Sequence, residues 1–406
     1  MTIMCTIEFL VRRCRCSFHA NFVALARASA LQAESPKSDF RLVPGIVIHH
    51  SPADSGIYLG SPGIVQLPNG DYLAKCDEFG PKSTEQTDAI THVFRSKDKG
   101  KSWAHLKAVH GIYWATIFEH AGAVYLMGPE HHFGRVVIMQ STDAGESWST
   151  PRDEKTGLLL ADGRYHSAPV PIIRHNGRLW RCMENFGDEG EGTLRYRAFM
   201  MSAADNADLL QATSWTTSNY LSPSGKWLDG NFKGWLEGNA VASPNGELLD
   251  ILRVNGPLGR IASAVRVSSD GRRATFDPKS DFIDFPGGAK KFTIRYDGKS
   301  KKYWSLTNYV LPADRDLSPG STRNTLALID SPNLKDWHVR CVLLHHPDTQ
   351  RHAFQYVDWE FDGDDLIVAS RTAYDDALGG AHNAHDANFL TFHRFKGFRD
   401  LSRSSD

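Results

Sequence analysis

The stretch Ser96-Lys97-Asp98-Lys99-Gly100-Lys101-Ser102-Trp103 recurs as Ser141-Thr142-Asp143-Ala144-Gly145-Glu146-Ser147-Trp148, 45 residues further on. Both copies keep the frame Ser-x-Asp-x-Gly-x-x-Trp. An apolar, alternating segment precedes each one, Thr91-His92-Val93-Phe94 in the first and Val136-Val137-Ile138-Met139 in the second. Such a context reads as strand, tight turn, strand. Asp and Gly make the turn, the Ser and Asp oxygens can accept from turn N–H groups, and Trp plugs the hairpin into a core.

Degenerate relatives follow: Ser214-Trp215, Ser268-Ser269-Asp270-Gly271 and Ser331-Pro332-Asn333-Leu334-Lys335-Asp336-Trp337. A repeated turn in an all-β context means a repeated unit, and an interval of this size suits four strands. From residue 40 to the end there is room for about six such units. The expected fold is therefore an all-β, six-bladed β-propeller of four-stranded antiparallel blades, with seven blades as the alternative. Length alone, at 406 residues, would allow two or three domains. The repeat argues instead for one propeller over 40–406, preceded by an extension over 1–39.

That extension carries Arg12-Arg13, Arg15 and three of the six cysteines, then the apolar run Phe22-Val23-Ala24-Leu25-Ala26 ahead of Ala30-Leu31-Gln32-Ala33. It reads either as a signal segment, with Arg27 interrupting its apolar part, or as a plain extension. Cys76, Cys182 and Cys341 are an odd, widely spaced trio, which argues against a disulfide framework. No stretch of about 18 apolar residues exists, so no membrane insertion is expected. A net charge of −1 gives no reason to expect nucleic acid. Ten Trp, twelve Tyr and eighteen His supply many polar-tipped rings of the kind that stack on sugars, although propeller cores consume aromatics too.

Inner strands of a propeller converge on its axis, so chemistry gathers there from distant positions. Blade one offers Gly60-Ser61-Pro62-Gly63-Ile64-Val65-Gln66, an Asn69-Gly70 turn and a returning strand, with Asp77, Glu78 and Asp88 just beyond. The fourth unit offers Glu237-Gly238-Asn239-Ala240-Val241-Ala242, an Asn245-Gly246 turn, and a strand ending at Arg253. Later come Arg323-Asn324-Thr325-Leu326 and Phe354-Gln355-Tyr356-Val357-Asp358.

On these residues the chain resembles the sialidase superfamily, whose Asp-boxes the two Ser-x-Asp-x-Gly-x-x-Trp turns match. The resemblance implies a catalytic tyrosine at Tyr356, with Tyr374 the nearest competitor, and Glu237 as the carboxylate that activates it. It implies Arg253 and Arg323 as two of three arginines that grip a substrate carboxylate, and Asp77 or Asp88 as the acid/base. Blade one departs from the family, because Ser61 stands where the arginine of Arg-Ile-Pro belongs. A tyrosine suits a substrate bearing a carboxylate beside the anomeric carbon. A neutral phenol, deprotonated as it attacks, avoids the repulsion that a carboxylate nucleophile would meet.

A second cluster is Tyr165-His166 with Arg181 on the following strand, near His120, His131 and His132. In residue type it resembles the site of propeller polysaccharide lyases, where arginine neutralises a uronate and Tyr or His moves protons. The other reading makes these residues the walls of a hydrolase's sugar pocket. His382-x-x-His385-Asp386, His49-His50 and His345-His346 do not bring three ligands together by spacing, so neither metal nor cofactor is expected.

The reading that follows is an exo-acting, retaining glycoside hydrolase of sialidase type on a terminal anionic glycan sugar. The alternatives are a uronate-cleaving lyase and a non-catalytic glycan-binding propeller, for which Ser61 is the argument. Enzymes of this type meet their glycans outside the cytoplasm, so a secreted or periplasmic setting is expected. Oligomeric state leaves no readable mark.

Overall fold

The repeated turn folds the same way twice in the computed structural model, which describes residues 40–401. Ser96 Oγ donates to Asp98 Oδ1 at 2.8 Å and accepts from the Gly100 N–H at 2.8 Å. Asp98 Oδ1 accepts from the Ser102 N–H at 2.9 Å, and Trp103 Nε1 donates to the Gly100 carbonyl at 3.2 Å. The second turn repeats these four bonds at 2.8, 2.8, 2.9 and 3.1 Å. Lys99 and Gly100 (φ 62° and 86°), like Ala144 and Gly145 (59° and 94°), are left-handed, as two-residue hairpin turns require.

The turns also join blades. Trp103 packs on Phe392 of the last blade at 5.5 Å between ring centroids, Trp148 packs into the first blade's cluster around Leu73 and Leu106, and Trp337 meets Phe285 at 4.7 Å. Each of these indoles staples its blade to the one before it.

Six antiparallel sheets result, and the alternative of seven is excluded. Their innermost strands are Tyr58–Gln66, Thr116–His120, Tyr165–His166, Trp235–Ala242, Thr293–Asp297 and Ala353–Asp362. Blade six takes its outermost strand, Ile46–His50, from the start of the described chain, paired antiparallel with Phe389–Phe395. The ring is thus closed by hydrogen bonds between distant ends of the sequence, which leaves no seventh sheet to build. Blade three is irregular. Its inner strand is broken into Tyr165–His166 and Ile173–His175, both paired with Arg178–Phe186.

Cores lie between blades, as where Trp180 and Cys182 of blade three pack with Trp235, Leu252 and Val265 of blade four. Cys76, Cys182 and Cys341 are free thiols. Among the described residues no helix is long and apolar enough to cross a membrane. The expectation of a signal segment within 1–39 lies outside the described residues.

Gly100 tests the stapling. It is left-handed, and a Cβ on it would meet the Phe392 ring at 2.2 Å, whereas Gly122 is equally left-handed (φ 82°) with nothing within 4 Å. Gly122→Ala is expected to cost only the backbone penalty, about 1–2 kcal/mol. Gly100→Ala adds overpacking of about 1–3 kcal/mol. Urea unfolding with an unchanged m-value checks the difference.

Candidate active site

Four side chains reach the propeller mouth because the backbone beneath them is left-handed. Ser61 (φ 46°), Glu237 (62°) and Tyr356 (54°) each sit where the inner strand slips register against its neighbour, between Gly60/Gly63, Leu236/Asn239 and Gln355/Asp358. Trp114 (49°) is left-handed as well, just ahead of the blade-two inner strand. Such bulges re-aim a side chain out of the strand's alternation. A non-glycine residue held this way costs on the order of 1–3 kcal/mol, and such strain clusters at functional sites. All four line one cavity of about 330 Å³, together with Glu85, His132, His166, Arg253 and Arg371.

At its floor Arg253 Nη1 donates to Glu237 Oε2 at 2.7 Å and to the Tyr356 hydroxyl at 3.0 Å. The other guanidinium face is held by Asn255 Oδ1. Burial alone would raise the Glu237 carboxyl, which is 3% exposed, but the Arg253 charge and the neighbouring His166 and Tyr356 hold it below its usual range. The carboxylate is therefore ionised beside a phenol. Its bulge is fixed from below: Glu184 accepts from the Gly238 N–H at 3.1 Å and from His166 Nδ1 at 2.8 Å. Gly238 has no room for a Cβ, which would lie 1.9 Å from Asp250 Oδ1.

Two further arginines flank the Tyr356 ring, Arg371 at 5.1 Å and Arg323 at 5.5 Å from its centroid. Arg323 donates to Gln355 Oε1 at 2.6 Å. With His385 it lines an adjoining cavity of about 490 Å³, His385 being a wall of both. The Arg371 charge, helped by burial, pushes His385 down to about 4, so that imidazole is neutral.

Several expected residues lie elsewhere. Asp77 is on a strand, 0% exposed, and is consumed by Lys75 (2.8 Å), Thr91 Oγ1 (2.8 Å) and the Trp114 N–H (2.7 Å). It holds up the cavity wall but does not touch the cavity. Asp88 is exposed and pairs with His110 at 2.7 Å, away from the mouth. The carboxylate of that loop that does line the cavity is Glu85, whose Oε2 accepts from the Tyr113 hydroxyl at 2.6 Å.

Tyr165, expected to bind substrate, instead turns its hydroxyl to the Asp162 carbonyl and Tyr220, within an interblade core. Arg181 is fully buried and donates to the carbonyls of Cys182 and Ala168. His166 does reach the cavity. Tyr374 packs on His346 and His352, not on the mouth. His382 and His385 both bond Asp386, and among the described residues no group of three is placed to hold a metal.

Glu85, Trp114 and Arg371 line the cavity as well, although no motif in the sequence marks them. In the folded ladders Arg253 stands opposite Leu236 and Arg371 opposite Gln355, in each blade the residue just before the bulge, an equivalence that the sequence alone does not display.

No family model and no curated protein matches this chain by sequence. Solved structures do match in fold. An α-L-arabinanase of Penicillium chrysogenum complexed with arabinobiose is 15% identical, with TM-score 0.54, covering 90% of this chain and 100% of that one. An α-L-arabinofuranosidase of Fusarium graminearum with arabinobiose is 14% identical, with TM-score 0.55, over 87% and 97%. Trypanosoma rangeli sialidase with sialic acid is 14% identical, with TM-score 0.54, over 88% of this chain and 59% of that one. The chain has the six-bladed propeller fold that these proteins share.

Asp250 beneath the site yields a pH prediction. Its carboxyl is buried against the Cys182 thiol, and burial raises it well above the ordinary value. In the unfolded chain it ionises near 3.9. Its neutral form therefore favours folding fully only below that pH, and stability drains as pH rises toward the folded value. Asp250→Asn is expected to flatten the fall in urea midpoint between pH 5 and 8 and to be the more stable form at pH 8.

Proposed function

We propose that this protein is an exo-acting, retaining glycoside hydrolase of sialidase type, acting on a terminal, carboxylate-bearing sugar of a glycan. The observation that carries the reading is the single guanidinium of Arg253 joining Glu237 to the Tyr356 hydroxyl. In this reading Tyr356 attacks the anomeric carbon while its proton passes to Glu237, which the lowered carboxyl keeps ready to receive it. Glu85 protonates the departing glycosidic oxygen. Water then attacks the anomeric carbon, its proton going to Glu85 while Glu237 returns its proton to the departing Tyr356 oxygen, so the two inversions give retention.

The fold neighbours are named for acting on arabinose-containing glycans in one group and as sialidases in the other. Arabinose is neutral, and a site for it gains nothing from buried cations. Arg323, 7% exposed and with no carboxylate partner among the described residues, favours an anionic sugar. The lyase alternative loses support because Tyr165 and Arg181 both point away from the cavity. A purely binding propeller would have no need of a carboxylate and a phenol bridged at hydrogen-bond distance. On this reading the glycan is met outside the cytoplasm, in a secreted or periplasmic setting.

Release from a fluorogenic α-sialoside tests the proposal. Tyr356→Phe and Glu237→Gln are each expected to lower kcat by about 10²–10⁴-fold with unaltered far-ultraviolet dichroism. Undiminished turnover in Tyr356→Phe would sink the nucleophile assignment. An unsaturated, ultraviolet-absorbing product from a uronate-containing polysaccharide would favour elimination.

A further inference from the structure

Arg371 is the anomaly of the cavity. Its residue is 5% exposed, yet among the described residues it forms no ion pair with any carboxylate. Its Nη2 donates to the His385 carbonyl, its Nε has no partner, and its guanidinium lies over the rings of Phe79 (4.4 Å) and Tyr356 (5.1 Å). Burying a charge is costly unless it is paired, and leaving a charged donor unpaired costs more than an ordinary lost hydrogen bond. Arg323 repeats the situation on the same ring.

The excess positive charge is felt locally. Burial, with the nearby Arg323 and Arg253, pushes the Lys290 ammonium well below its usual range. Burial lowers Arg371 only to about 10, leaving it charged at neutral pH. Glu237 is already committed to Arg253 and Glu85 to Tyr113. Among the described residues the cavity therefore has no carboxylate free to face Arg371.

We propose that the counterion of Arg371 is the carboxylate of the sugar substrate, and that Arg371 of blade six is its specificity-determining clamp, doing from the far side of Tyr356 what Ser61 in blade one cannot do. The assignment rests on the hydrolase reading for its orientation but not for its charge argument. Ladder geometry supports it: Arg371 occupies in blade six the position that Arg253 occupies in blade four. In blade one that same position is Asp77, opposite Gly60, and its charge is spent on Lys75. Ser61 lines the cavity without charge.

Isothermal titration of the full chain tests this with four probes: N-acetylneuraminate, its methyl ester, glucuronate and the neutral arabinobiose. The wild type is expected to bind one of the free acids more tightly than arabinobiose. Arg371→Met is expected to weaken that acid by about 10- to 100-fold, as for a lost charged hydrogen bond, with Arg371→Lys intermediate and arabinobiose unaffected. The ester needs no variant: it should bind wild type about as weakly as the acid binds Arg371→Met. Equal affinity for acid and ester, an unchanged acid affinity in Arg371→Met, or a wild type that binds neither acid overturns the clamp. Sialoside turnover run alongside separates the two proposals. Acid-selective binding without turnover removes the hydrolase and leaves the clamp, whereas turnover with kcat/KM unchanged in Arg371→Met removes the clamp alone.

Discussion

Arg253 holds the mouth of this propeller together. Its Nη1 reaches Glu237 on its own blade and Tyr356 two blades away, so one guanidinium fixes residues more than a hundred positions apart in sequence. Everything else near the axis serves that contact. Glu184 of blade three grips the Gly238 N–H and so sets where Glu237 emerges. Lys291 donates to the Val357 carbonyl and to Thr293 Oγ1, securing the chain just after Tyr356 from blade five. Buried in that role, with desolvation outweighing nearby carboxylates, its ammonium falls to about 7. The contact is a network across blades three to six, and in a low-dielectric interior a fully satisfied network is stiff.

Such stiffness is needed because the backbone at these positions is strained. Left-handed Ser61, Trp114, Glu237 and Tyr356 together carry several kcal/mol of conformational cost, at about 1–3 kcal/mol each. A single hairpin could not hold that strain. The ring can, because indoles staple blades one, two and five to their predecessors and the last blade is closed by Ile46–His50. Strain at the inner strands is thus offset by packing at the outer turns, with the Ser-x-Asp-x-Gly-x-x-Trp repeat on the rim serving the axis indirectly.

This division explains what was legible in the sequence. Turn chemistry is local, so two copies of an eight-residue frame predicted sheets, blade size and antiparallel order. Glu237 and Arg253 were legible because they fall in register with the Asn245-Gly246 turn between them, Tyr356 from its place beyond Arg323 in the sialidase-like pattern, and all three line the cavity. Asp77 and Asp88 misled because a carboxylate near the right loop says nothing about its partner. Asp77 is neutralised by Lys75, two residues away on the same face of the strand, a pairing visible in the sequence only once the strand is placed. Tyr165 and Arg181 misled for the opposite reason: the break in the blade-three inner strand directs Tyr165 into the interblade core, and no spacing rule announces a break.

Glu85 and Arg371 were missed because their importance is a property of the assembled ring. Glu85 is one of several polar residues in a loop, singled out only by Tyr113 of the next blade. Arg371 reads in sequence as an ordinary strand arginine, and its lack of a counterion appears only when every neighbour is in place. A propeller makes such substitutions easy. Its inner strands present equivalent positions around one axis, so a charge absent from one blade can be supplied from another without changing the fold. Arg253 and Arg371 occupying the same ladder position in blades four and six, with Asp77 in blade one spent on structure, is the form that exchange takes here. The chemistry of the mouth is then set by the sum over blades, and a motif missing from any single blade does not decide what the ring can bind.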